Sequence, residues 1–162
     1  MQLHPNISIL FENRDTVLYQ IRELIFSEDL KNEDEIREYI DIYSPMLPLD
    51  GELSATLFIE LDNQVLLAEM LRRVKGIEHH LRLEAENEHV AAVFEEEHDD
   101  RDFTTSVHYL KFPLTPRAIE LLSLGDLRRA SVRLVLDHPN LQASVTLDAD
   151  ALASLKEDLT NP

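Results

Sequence analysis

A chain of 162 residues, 44% hydrophobic and 29% charged, is long enough to bury a core of its own without metal or disulfide staples. Its 32 Asp plus Glu against 15 Lys plus Arg give a formal net charge of −17, a field that repels nucleic-acid phosphates and anionic lipid headgroups. Cysteine is absent, which excludes disulfides, thiolate metal sites, iron–sulfur ligation and a cysteine nucleophile.

The first residues, Met1-Gln2-Leu3-His4-Pro5-Asn6, carry neither a basic segment nor an apolar run of the signal-peptide kind. No apolar stretch reaches bilayer-spanning length, so a cytoplasmic location is expected, with no nucleic-acid or membrane partner. Ile7, Ile9 and Phe11 alternate along the first clear strand. Asn13 then caps a helix carrying Val17, Leu18, Ile21, Leu24 and Ile25 at helical spacing. A second helix is predicted from Asn32, with Glu35 placed for a capping box and Ile36, Tyr39, Ile40 and Tyr43 on the face expected to be buried. It ends before Pro45, and Pro48 with Asp50-Gly51 makes the next stretch a loop.

Leu53, Ala55, Leu57, Ile59 and Leu61 alternate as a second strand, with Phe58 on its opposite face. Asp62 or Asn63 caps a helix bearing Leu66, Leu67, Met70, Leu71 and Val74, and Gly76 stops it. From His80 to Glu95 the pattern is a hairpin, Leu81, Leu83 and Ala85 answering Val90, Ala92 and Phe94. An acidic loop follows, then a strand over 103–112, and Thr115-Pro116 opens a helix closed by Gly125. Val132, Leu134 and Leu136 form a strand that turns at Asp137-His138-Pro139-Asn140 and returns through Leu141, Ala143, Val145 and Leu147. Asp148 caps a last helix with Leu152, Leu155 and Leu159 on one face. Helical connections combined with hairpins predict an α+β fold: one domain over residues 1–162, with a mixed, mostly antiparallel sheet of about seven strands covered by helices mainly on one face.

Only three glycines occur, which excludes a glycine-rich phosphate loop or dinucleotide fingerprint in its usual form. No G-x-S-x-G, H-E-x-x-H or calcium-loop pattern is present. His4, His79, His80 and His89 read as surface residues. His98 sits within the acidic run Glu95, Glu96, Glu97, Asp99, Asp100 and Asp102; such a run is a solvated loop first and a divalent-cation site second. His108 shares a strand face with Leu110 and Phe112, while His138 follows Asp137 in a turn. No cofactor is predicted beyond a divalent metal held by His108, His138, Asp137 and His98.

Three stretches carry a resemblance: Ile9-Leu10-Phe11-Glu12-Asn13-Arg14-Asp15-Thr16-Val17 with Gln20-Ile21-Arg22-Glu23, Ser106 to Phe112, and Asp137-His138-Pro139, with Gly76-Ile77-Glu78 between them. In this order they resemble the bacterial domain-of-unknown-function family DUF3501. The chain departs from the family in lacking an N-terminal basic segment and in having Leu141 where an aromatic residue is usual. The resemblance implies no activity. It implies a setting beside rubrerythrin-like di-iron proteins and an iron–sulfur oxidoreductase, hence redox or iron proteins as partners.

Two functions follow as expectations. The first is a non-enzymatic accessory or interaction protein of a redox or oxidative-stress system. Its acidic run (Glu95, Glu96, Glu97, Asp99, Asp100, Asp102), with Arg14 and Asp15, would meet a basic partner. The alternative is a metal-dependent enzyme using His108, His138 and nearby carboxylates. A homodimer is expected, joined through the sheet face that carries Phe58 and Tyr109.

Overall fold

The computed structural model describes residues 1–94, 101–124 and 131–161. Among them are eight strands and five α-helices: β1 (Gln2–His4), β2 (Ile7–Glu12), α1 (Arg14–Ser27), α2 (Glu33–Tyr43), β3 (Glu52–Ile59), α3 (Gln64–Arg73), β4 (Leu81–Ala85), β5 (Glu88–Ala91), β6 (Val107–Pro113), α4 (Pro116–Leu124), β7 (Val132–His138), β8 (Leu141–Thr146) and α5 (Ala149–Thr160). The α+β class stands, but the single mixed sheet does not. The strands form two four-stranded sheets, ordered β1-β2-β3-β6 and β5-β4-β7-β8, and every strand pair is antiparallel. Period-two alternation reports which face of a strand is buried and says nothing of which sheet it joins. Gln2–His4 is the added strand, antiparallel to β2 and too short to show a period.

The helix starts follow local chemistry. Asn13 and Thr16 form a reciprocal capping box on α1, Asn63 accepts from Val65 and Leu66 N–H at the start of α3, and Asp148 accepts from Ala151 N–H at the start of α5. Thr115 Oγ1 accepts from Ala118 N–H at 3.1 Å behind Pro116, the first residue of α4. After α3 the chain reverses through Gly76 at φ +81°, a left-handed conformation open to glycine at little cost.

The inward positions of both sheets belong to one continuous core. Ile7 and Ile9 of β2, Leu53 to Ile59 at alternate positions of β3, and Leu110 and Phe112 of β6 join Leu81, Leu83, Leu134 and Leu136 of the second sheet. Met70 and Val74, Leu121 and Leu122, and Leu152 and Leu155 bring α3, α4 and α5 into the same core. Each such side chain contributes about 1.5–3 kcal/mol by burial, which makes this layer the main source of stability.

The opposite face of the first sheet is covered differently. There α1 and the 3-10 turn Ser44–Met46 set Val17, Ile21 and Met46 in a small separate cluster, with Tyr43 and Leu47 packed on it. The helices therefore do not lie on one face of one sheet. The expected burial of the apolar face of α2 fails as well: none of its residues is buried, and Ile40 and Ile42 are exposed. The strand expected over 103–112 begins only at Val107, because residues 101–103 bend and Thr104 donates its N–H to Leu71 O at 2.9 Å. A backbone seam ties the edges of the two sheets where Val93, just past β5, exchanges two 2.7 Å hydrogen bonds with Lys111 of β6.

Candidate functional site

Beside β6, between the seam and the end of α2, lies a cleft of about 730 Å³. Its walls are Ile42, Tyr43, Pro45 and Met46 on the helical side and Phe94, Val107 and Tyr109 on the strand side, while Glu78, Thr104, His108 and Lys111 supply polar groups. Ile42, Val107 and Tyr109 form an exposed apolar rim, 57%, 36% and 50% accessible respectively.

The alternation of β6 that buries Leu110 and Phe112 also turns His108 inward, where it is 8% exposed. Its Nε2 lies 2.9 Å from Thr105 O and 3.0 Å from Thr104 Oγ1. A carbonyl only accepts, so Nε2 carries a proton and donates it to Thr105 O. The ring's Nδ1 faces Glu78 Oε2 at 3.8 Å. Glu78 belongs to the 3-10 turn Ile77–His80 that follows Gly76, and its Oε2 is buried without a hydrogen-bond partner. Burial holds the His108 pKa below the usual imidazole value, opposed by the Glu78 charge and the bond to Thr105. Burial also pushes the Tyr109 hydroxyl up, with Tyr43 and Glu12 acting in the same direction.

Lys111 is committed elsewhere: its Nζ donates to Leu47 O at 2.7 Å and lies 3.3 Å from Glu52 Oε1. Beneath the cleft, on the α1 side of the first sheet, Glu12 is buried. Its Oε1 accepts from Thr56 Oγ1 at 2.7 Å and its Oε2 accepts from Thr16 Oγ1.

The proposed metal residues part company. His138 is buried with both ring nitrogens in use, Nε2 donating to Lys75 O at 2.7 Å and Nδ1 accepting from Asn140 N–H at 3.1 Å. Its ring meets His80 edge-on at 5.0 Å. Asp137 points to the other face of β7, exposed and 3.7 Å from Arg82. Among the described residues no group of three or more His, Asp or Glu side chains is placed to hold a metal ion. His98 lies outside the described residues, as do Glu95, Glu96, Glu97, Asp99 and Asp100.

Asp102 is exposed at the bend before β6, and Arg14 is exposed at the start of α1. Asp15 lines a second, wide-open depression with Leu10, Tyr19 and Glu23. Of the histidines read as surface residues, His80 packs on His138 and His79 packs edge-on to Phe94 at 5.0 Å. His89 stays exposed, 3.7 Å from Glu84. Glu78, Thr104 and Glu12 were not legible as site residues. Glu78 sits in no periodic element, whereas Glu12 had a signal: a carboxylate on the outer face of a strand whose next residue caps a helix.

No helix among the described residues is long and apolar enough to cross a membrane. No curated protein matches the chain. A crystal structure at 1.90 Å resolution of a novel protein of unknown function from Burkholderia pseudomallei K96243 is similar over 98% of this chain and 82% of that one, with a TM-score of 0.87 and 32% identity. The family model described as "Protein of unknown function (DUF3501)" matches residues 1–159, and the chain belongs to that family.

Proposed function

We propose that the protein is a non-enzymatic binding component that receives a partner at the cleft beside β6. The observation that carries this reading is the pairing of an exposed apolar rim, Ile42, Val107 and Tyr109, with a polar floor. Apolar side chains around a concavity with a few convergent polar groups have the composition of a recognition surface. A net charge of −17 favours a basic partner and makes the encounter salt-dependent. The redox setting, with rubrerythrin-like or iron–sulfur proteins as partners, is supported by the context that the family resemblance implies.

Co-purification from cells at low salt tests the reading, using wild-type protein and the rim variants Ile42→Glu and Tyr109→Ser. Capture of a di-iron or iron–sulfur protein by wild type, lost in both folded variants, is the expected result. Equal capture by the rim variants would move the partner surface elsewhere. Absence of any such protein from a folded wild-type bait would remove the redox setting.

A further inference from the structure

The helix α2 is amphipathic by spacing, yet it buries none of its residues. A helix of 11 residues is too short to hold its shape alone in water. Half-buried Ile36, Tyr39 and Tyr43 rest on the body, and Tyr39 Oη donates to Glu28 Oε2 at 2.5 Å. Glu35, Glu38 and Ile42 follow at i, i+3 and i+7, so they share one exposed side of the helix. Ile42 also walls the cleft, where Val107 and Tyr109, on the outward face of β6, continue the apolar surface. An exposed track thus runs from acid on α2 to the apolar rim on β6. We infer that this track docks a basic amphipathic helix of a partner protein, with Lys or Arg laid on Glu35 and Glu38 and a large apolar side chain on Ile42 and Tyr109; this rests on the reading of the cleft as a partner site.

Charge selects the occupant. Along α2, Glu33, Asp34, Glu35, Glu38 and Asp41 stand against Arg37 alone, five acids to one base. A second copy related by a twofold would set these acids against themselves. The paired bases that end α3, Arg72 and Arg73, are a poor substitute, because Arg73 already donates to Asn140 O at 3.1 Å. Two cations line the cleft beyond the rim: Lys111 lies 3.3 Å from Glu52, and Arg101 lies 5.2 Å over the Phe103 ring. They disfavour a lysine or arginine there, which fixes the polarity of docking, basic end over α2 and apolar end over the cleft. Spacing selects a helix. Glu35 and Glu38 are about 4.5 Å apart along the axis of α2, the rise between positions i and i+3 of a partner helix, whereas same-side residues of an extended strand are about 6.6–7 Å apart.

The probe is a capped alanine-based helical peptide of about 18 residues, with lysines at i and i+3 and leucine at i+7 of one face. One control peptide replaces its lysines with glutamate, and another scrambles the same composition so that the face is broken. Titration into the full-length chain is followed by ¹⁵N NMR. The probe is expected to shift amides of α2 and of Val107 to Tyr109 saturably. Both control peptides, and the probe on the double variant Glu35→Gln/Glu38→Gln, should bind more weakly by about three- to tenfold, with the wild-type advantage shrinking as salt rises. All these positions are exposed, so variants that melt at the wild-type temperature separate lost binding from lost folding. Equal binding by either control peptide, no binding of the probe, or shifts confined to other elements would overturn the inference. So would light scattering that gives a dimer in which α2 is already covered, since the occupant would then be a second copy. Binding that is lost in Ile42→Ser but unchanged in the glutamate double variant would sink the basic helix and leave the partner cleft standing; binding indifferent to Ile42→Ser and Tyr109→Ser would sink both.

Discussion

Replacing Thr56 with valine isolates one buried, charge-assisted hydrogen bond. Thr56 is 1% exposed and its hydroxyl donates to Glu12 Oε1 at 2.7 Å, while Thr16 serves the other oxygen. Valine keeps the branched shape and its fit in β3, so the perturbation is the loss of a donor to a buried carboxylate. A hydrogen bond to a charged group contributes about 1.5–3 kcal/mol, and the stranded oxygen has no water to turn to. For a chain of this size that corresponds to a melting temperature lowered by about 3–10 °C. Urea denaturation of wild type, Thr56→Val, Glu12→Gln and the double variant forms a cycle in which the Thr56→Val penalty shrinks by about 1 kcal/mol or more once Glu12 is an uncharged amide. A Thr56→Val protein within 0.5 kcal/mol of wild type, or a penalty unchanged by Glu12→Gln, would show that the buried carboxylate does not depend on this strand hydroxyl.

His108 links stability to pH. Burial lowers its folded pKa below the unfolded value of about 6.5, so the fold favours the neutral ring. Its contribution is complete above pH ~6.5 and falls away as the pH drops from there toward the folded pKa, because the unfolded chain binds the proton first. The wild-type minus His108→Gln difference in urea stability should decline through that window, and a flat difference refutes the assignment. His138→Ala removes two hydrogen bonds and a buried ring, for an expected loss of about 2–4 kcal/mol by chemical denaturation; a loss under 0.5 kcal/mol would contradict its structural role. Elemental analysis of protein purified without a His-tag is expected to show sub-stoichiometric zinc, iron and manganese, with no rise in melting temperature on adding them. One tightly held metal per chain would revive the metal-dependent enzyme.

Local chemistry was legible in the sequence where its cause is local. Asn13, Asn63, Thr115 and Asp148 cap helices because a short acceptor side chain beside free N–H groups needs nothing from the rest of the chain. Alternation identified Leu53 to Ile59 and Val132 to Leu136 as inward-facing. The partition into two sheets was illegible because partner choice depends on distant strands. The apolar face of α2 misled for a related reason, since helical spacing defines a stripe but not the surface that meets it. His108 was visible as an inward histidine. Its partner Glu78 was not, because the two are joined only by the placement of a 3-10 turn against β6.

The strand orders carry a consequence for how the chain holds together. β3 pairs with β6, and β4 pairs with β7, so in chain order these two pairings interleave. No single cut can leave both sheets whole, and a cut between Ala91 and Val107 divides both at once. A piece ending there owns β1 to β5 and lacks an outer partner for β3 and the central partner for β4; the other piece owns β6 to β8 and lacks the reverse. The two pieces are complements, each supplying the template that completes the other. A nicked molecule should therefore stay together as a folded pair, and neither fragment should fold alone. The same interleaving obliges the intact chain to close one long loop for the β3–β6 pairing and another for the β4–β7 pairing, which places it among the slower folders of its size.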